Sequence, residues 1–138
     1  MIPFHVQFQP GGKLYEQIVY AATKAMMSGR LRHGDSFPSV RTLSKELKIN
    51  PNTAHKVIAT LVASGLLEIR PGIGAVVAPR PEVSRKEKAR LLEQEIEALV
   101  VEAKRLGIEM DEVAESLADH WRRLSPKARD SQGGRTPR

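Results

Sequence analysis

Three observations on the sequence predict a mainly helical fold with one small β-hairpin. Three segments with helical apolar spacing follow one another between residues 13 and 65, and two β-rich runs come directly after them. From residue 82 to residue 106 the chain is rich in Glu, Lys, Leu and Ala and contains no helix breaker. Three helices followed by a hairpin form a winged helix-turn-helix domain. We therefore expect such a domain, followed by a short C-terminal helical region.

The first predicted helix covers residues 13–28. Its apolar residues, such as Ile18, Ala21 and Ala25, recur at three- and four-residue intervals, and Gly29 is a suitable C-terminal stop. Prolines and glycines oppose regular structure in the twelve residues before it, so we expect at most a short extended piece at residues 5–8.

A second, shorter helix and a third helix form the predicted helix-turn-helix. Ser39 is a good N-cap for the second helix, and residues 48–49 make the turn after it. Asn50 then caps the third helix, and Pro51 takes its first position, where the missing N–H costs nothing. In the third helix, apolar residues at helical spacing from Ala54 onwards should face inward, which leaves a polar and partly basic outer face.

The hairpin is predicted from two short runs rich in β-forming residues. Residues 66–70 and 75–79 flank the turn sequence Pro71-Gly72-Ile73-Gly74. We take residues 1–80 as the winged-helix domain and residues 81–125 as a helical region. Residues 126–138 are polar and carry Gly and Pro, so they are predicted to form a disordered tail.

The charge is distributed unevenly along the 138 residues. The formal net charge is +6, and residues 1–80 carry 10 Lys and Arg against 4 Asp and Glu, whereas residues 81–124 carry 8 against 11. The basic excess thus lies on the segment with the helix-turn-helix and on the tail. Because phosphate groups attract such a segment, the distribution suits DNA binding.

The outer face of the third helix is the predicted DNA-reading surface. A helix fits the major groove, and residues at its N-terminal end reach the base edges. The Asn side chain can pair with adenine, Thr can contact phosphate or a thymine methyl group, and the planar Arg fork suits guanine. The candidate DNA-binding residues of the two helices are Ser39, Arg41, Asn50, Asn52, Thr53, His55 and Lys56. Ser39 and Asn50 are first of all caps, and an exposed histidine such as His55 is ordinarily not a ligand.

Several of these motifs occur in one order that resembles the GntR family of bacterial transcription regulators. They are Leu14-Tyr15-Glu16-Gln17-Ile18, Ser28-Gly29-Arg30-Leu31, Gly34-Asp35-Ser36-Phe37-Pro38-Ser39-Val40-Arg41, Asn50-Pro51-Asn52-Thr53, Gly65-Leu66-Leu67-Glu68 and Gly72-Ile73-Gly74. The Asn-Pro-Asn-Thr start of the third helix and the short helical C-terminal part look like the YtrA-type branch.

The resemblance implies a homodimeric repressor at a palindromic operator, often of transporter genes or of the regulator's own operon. It implies base and phosphate contacts by Arg41, Asn52, Thr53 and His55. It also places a wing, formed by Gly72, Ile73 and Gly74, near the minor groove. Ile73 departs from the polar or basic residue that is frequent at this position.

Residues 82–124 are predicted to form the dimer interface. Two helices of about 40 residues in total bury too little apolar surface to be stable alone, and a second copy would supply the missing core. An intramolecular helix pair is the simpler alternative. The apolar residues expected at the interface are Leu92, Ile96, Leu99, Ala103, Leu117 and Trp121.

Other functions find little support in the sequence. Cysteine is absent, the four histidines show no metal-ligand spacing, and no nucleophile–base pair or nucleotide-binding motif occurs. We therefore expect no cofactor, no metal, no membrane association and no catalysis. The N-terminus lacks the features of a signal peptide, which favours a cytoplasmic protein. A winged helix used for protein contact remains an alternative, and a small pocket for an unidentified small-molecule effector stays open.

Overall fold

The computed structural model describes residues 2–80 and 82–126, which form six α-helices, one π-helical segment and two β-strands. In chain order these are α1 Leu14–Met27, α2 Val40–Leu47, α3 Pro51–Ala63, β1 Leu67–Arg70, β2 Gly74–Val77, α4 Arg85–Arg90, the π-helical segment Leu91–Glu95, α5 Ile96–Arg105 and α6 Met110–Arg123. The mainly helical fold with one antiparallel hairpin confirms the predicted fold class. Of the predicted disordered tail, only Pro126 belongs to the described residues.

The described chain divides into two compact units. The first comprises residues 2–80 together with 124–126, and the second comprises residues 82–123. In the first unit, α1, α2 and α3 pack around an aliphatic core. Its most deeply buried large side chains are Ile18 of α1, Leu43 of α2, and Val57 and Leu61 of α3. These residues lie at the positions that helical spacing predicts to face inward.

The turn between α2 and α3 is closed by backbone geometry and by a cap. Lys48 ends α2 in the left-handed conformation, with φ 56° and ψ 51°. Asn50 then caps α3 and Pro51 takes its first position, as predicted. At the start of α2, the Ser39 side chain accepts a hydrogen bond from the backbone N–H of Thr42 at 3.1 Å. The starts of α2 and α3 are thus fixed by the caps that the sequence predicts.

The hairpin carries a third extended partner that the sequence analysis missed. β1 and β2 pair antiparallel, from Leu67 opposite Val77 to Arg70 opposite Gly74. Ser36, in the link before α2, forms a further bridge to Val76, and flanking backbone hydrogen bonds measure 2.8 and 2.9 Å. The sequence gives no local sign of this pairing, because the partner of Ser36 lies about 40 residues further along the chain.

The N-terminal segment is anchored on the same unit. Phe4 is buried and stacks on the buried Phe37, with 5.7 Å between the ring centroids. Residues 5–8, predicted as a short extended piece, form no strand. Aromatic burial thus holds this segment.

Residues 82–106 contain no helix breaker, yet they do not form one regular α-helix. α4, the π-helical segment and α5 follow one another with helical backbone angles, and the backbone N–H of Ile96 bonds to the Leu91 carbonyl five residues earlier. Arg90 and Glu95, which are also five positions apart, form an ion pair at 3.4 Å. The residue types there favour ordinary helix, so composition carries no sign of the wider turn.

Candidate nucleic-acid interface

The α2–turn–α3 unit presents one polar face because its other face is held by the core. Leu43 of α2 and Ala54 and Val57 of α3 are completely buried. A helix that anchors one side at three- and four-residue spacing turns the remaining positions outward. On α3 these outward positions begin at its N-terminal end, where Asn52 is exposed.

The structure places most of the predicted DNA-binding residues at the surface. Thr53 is half-buried, and the others are exposed: Ser39, Arg41, Asn50, Asn52, His55, Lys56, Gly72, Ile73 and Gly74. Asn52, His55 and Lys56 share the outer side of the first turns of α3. Arg41 lies in the first turn of α2.

Ser39 and Asn50 both act as helix caps. The Oδ1 atom of Asn50 accepts a hydrogen bond from the backbone N–H of Asn52 at 2.7 Å. The Ser39 hydroxyl accepts from the backbone N–H of Thr42 and donates to Oγ1 of Thr42 at 3.1 Å. The capping roles predicted for these two residues are therefore present.

The charge of this surface is positive. Between residues 38 and 65 the sequence carries Arg41, Lys45, Lys48 and Lys56 against a single acidic residue, Glu46. Arg41, Lys45, Lys48 and Lys56 are all exposed. A helix N-terminus adds partial positive charge through its free backbone N–H groups. The surface therefore attracts an anionic partner.

The Lys56 side chain makes a contact that the sequence did not reveal. Its Nζ atom lies 4.2 Å from the centroid of the Tyr15 ring, in the first turn of α1. Tyr15 stands within a motif quoted above, but it was not among the candidate site residues. Because about 40 positions separate the two residues, only the packing of α1 against α3 brings them together.

The hairpin tip offers an apolar rather than a basic wing. Gly72 and Gly74 have φ angles of +77° and +110°, which glycine adopts without steric cost, and they bracket Ile73. The Ile73 side chain is 66% exposed. The nearby Arg70 guanidinium is paired with Glu68 at 2.8 Å. The tip therefore presents glycine backbone and an aliphatic side chain.

The residues predicted for dimerisation lie in the second unit. Leu99, Ala103 and Leu117 line a groove of about 330 Å³ between α5 and α6. Ala103 is already buried there, whereas Leu92, Ile96, Leu99, Leu117 and Trp121 are exposed. Leu92, Ile96 and Trp121 lie outside the groove lining. In a single copy, much of the apolar surface of this unit stays in contact with water.

Among residues 2–80 and 82–126, no group of three or more His, Cys, Asp and Glu side chains is placed to hold a metal ion. No helix in the described part of the chain combines the length and the apolar character needed to cross a membrane.

Together, the fold and its exposed α3 surface define a winged helix-turn-helix of the DNA-binding type. Residues 14–77 match the family described as bacterial regulatory proteins, gntR family. The chain belongs to this GntR family, and it is a DNA-binding transcriptional regulator rather than an enzyme.

Two relatives from Bacillus subtilis (strain 168) are similar along most of their length. The uncharacterized HTH-type transcriptional regulator YhcF is 31% identical over 80% of this chain and 92% of its own. The HTH-type transcriptional repressor YtrA is 28% identical over 77% of this chain and 82% of its own. A solved structure titled as a transcriptional antiterminator from Listeria monocytogenes EGD-e shares the fold, with a TM-score of 0.72 and 24% identity over 86% of this chain and 88% of that one.

Proposed function

We propose that this protein is a homodimeric repressor that binds a palindromic operator with α3 in the major groove. The observation that carries the proposal is the exposed N-terminal end of α3, whose opposite side is locked into the core through Ala54 and Val57. Such a helix can enter the groove without any rearrangement of the domain. The positive charge around it supplies the attraction to phosphate.

Each side chain at this end has a chemically suitable target on DNA. Asn52 can bond both the N6 and N7 positions of adenine, and the Arg41 fork matches O6 and N7 of guanine. Thr53 is half-buried, which suits a short contact to phosphate or to a thymine methyl group. His55 and Lys56 extend the surface along α3. The wing at Ile73 would lie near the adjacent minor groove.

Homodimer formation is supported by the exposed apolar side chains of the second unit. Leu99 and Leu117 remain about half exposed in a single copy, at 43% and 53%, although they line the same groove. A second copy would cover this surface and offset the cost of ordering the helices. Two-fold symmetry would then set the two recognition helices one DNA turn apart, or about 34–36 Å.

Repression is the regulatory direction that the relatives favour. YtrA, the relative at 28% identity, carries the name of a transcriptional repressor. A dimer bound across a promoter excludes RNA polymerase without any further contact, so repression requires only the DNA-binding surface and the interface. Transporter genes or the protein's own operon are the proposed targets, and the site of action is the cytoplasm.

Selection from a random double-stranded DNA library tests the proposal directly. The full-length protein should retain fragments that share an inverted repeat, with half-site centres about 10–10.5 base pairs apart. Placed between a promoter and a reporter gene, the selected sequence should lower transcription when the protein is added. Failure to enrich any sequence, or enrichment of a single half-site without symmetry, would contradict the proposal.

A further inference from the structure

The contact between Lys56 and Tyr15 connects the recognition helix to the first turn of α1. The ammonium Nζ lies 4.2 Å from the ring centroid, well within the ~6 Å over which a cation is attracted to an aromatic face. Lys56 is itself exposed, so the contact forms at the surface rather than inside the core.

The ring is the fixed partner of this pair. Tyr15 is half-buried and packs against the hydrophobic core, while α1 and α3 pack directly on each other. A lysine has a flexible four-carbon stem and samples many rotamers when nothing holds it. Tyr15 therefore selects, from those rotamers, the ones that direct the ammonium toward α1.

The direction of the Lys56 ammonium matters because Lys56 and Asn52 lie on the same face of α3. The two residues are four positions apart, so they lie one above the other on α3. A mobile ammonium beside Asn52 could bond the same base edges in the groove. An ammonium held over the α1 ring is displaced from those edges toward the side of the helix.

We propose that Tyr15 is a positioning residue for DNA recognition, which holds Lys56 for a phosphate contact and keeps its ammonium away from the base edges. This inference rests on the proposed entry of α3 into the major groove. Because the lysine is ordered before binding, less side-chain freedom is lost in the complex. Loss of the ring should weaken operator binding about 2- to 5-fold, which lies within the cost of immobilising one flexible side chain on binding.

A double-mutant cycle on the selected operator DNA tests the inference. Tyr15→Leu removes the ring, Lys56→Met removes the cation, and Tyr15→Phe keeps the ring without its hydroxyl. We expect Tyr15→Leu to weaken binding about 2- to 5-fold when Lys56 is present and by less than about 1.5-fold in the Lys56→Met background. Tyr15→Phe should bind like the unmodified protein.

Sequence preference gives a second measurement that a purely structural role of Tyr15 does not predict. When the selection is repeated, Tyr15→Leu should yield a broader set of operators, because the released ammonium reaches base edges. Lys56→Met should reduce the slope of log K against log salt by about one and leave the preferred sequence unchanged. In the free protein, the Lys56 side-chain protons should show an upfield ring-current shift by NMR that Tyr15→Leu abolishes.

Three results would overturn the inference while leaving the proposed function intact. If Tyr15→Leu lowers operator affinity equally with and without the Lys56→Met substitution, the ring acts only through the fold. If Tyr15→Phe and Tyr15→Leu lower operator affinity equally, the effect on binding comes from the Tyr15 hydroxyl rather than from the ring. An unchanged operator set after Tyr15→Leu would show that the ring does not govern base preference. If the unmodified protein selects no DNA, the proposed function itself fails, and this inference fails with it.

Discussion

The side-chain oxygen of Asn50 lies 2.7 Å from the backbone nitrogen of Asn52, and this hydrogen bond closes the first turn of the recognition helix. Two neighbouring asparagines therefore have different tasks. The Asn50 Oδ1 atom is occupied within the protein, whereas the Asn52 side chain extends from the exposed end of α3.

Substitutions at the two asparagines should separate stability from recognition. Asn50→Ala removes the cap and should lower the free energy of unfolding by about 1 kcal/mol, whereas Asn50→Ser should retain most of it. Asn52→Ala should leave thermal unfolding nearly unchanged and weaken operator binding. Circular dichroism melts and fluorescence anisotropy on labelled operator DNA measure the two effects. Equal melting temperatures for Asn50→Ala and Asn50→Ser would refute the capping role.

Arg41 should contribute to affinity through its shape as well as its charge. Arg41→Ala is expected to cost ~1–3 kcal/mol of specific binding if its fork contacts guanine. Arg41→Lys should recover only part of the loss, because an ammonium cannot make the paired contact. Lys24→Ala is the charge-matched control, since Lys24 lies in the last turn of α1. Similar affinities for the Arg41→Ala and Lys24→Ala proteins would remove Arg41 from the interface.

Charge introduced into the groove of the second unit should prevent dimer formation. Leu99→Glu places a carboxylate where a second copy would bury apolar surface, so sedimentation should show monomers at micromolar concentration. Val101→Glu adds the same charge two positions away, on the opposite side of α5, and should leave the dimer intact. The Leu99→Glu protein should also lose the preference of the unmodified dimer for the full palindrome over a single half-site. A dimer that survives Leu99→Glu but dissociates on Val101→Glu would place the interface on the other face.

A substitution at the apolar wing tip can test whether the wing lies close to the DNA. Ile73 is largely exposed, so Ile73→Arg should change the free energy of unfolding by no more than about 0.5 kcal/mol. If the wing lies beside the minor groove, the new guanidinium should raise affinity at low salt and increase the salt slope by about one. Tyr20→Arg, at another exposed position, on α1, adds the same charge as a control. If the slope of log K against log salt is no steeper for Ile73→Arg than for Tyr20→Arg, the wing does not lie beside the DNA.

The elements of the winged helix could be predicted because local chemistry specifies them. Ser39 and Asn50 are capping residues at the starts of α2 and α3, and Pro51 stands where a helix accepts proline. Apolar spacing identified the inward positions of α3, since the helical period alone decides which side chains share a face. The exposure of Asn52, His55 and Lys56 on α3 followed from the same period.

Contacts between residues far apart in the chain were decided only by the tertiary structure. Ser36 meets Val76, and Lys56 meets Tyr15, because packing of the three helices and the hairpin brings distant segments together. No local sequence pattern predicts these contacts, because they depend on the free energy of the whole packed core rather than on neighbouring residues in the sequence. Likewise, the wider turn after Arg90 occurs among residues that individually favour an ordinary helix. The sequence thus determined which side chains face outward on α3, while the fold decided that an aromatic ring on α1 would lie against one of them.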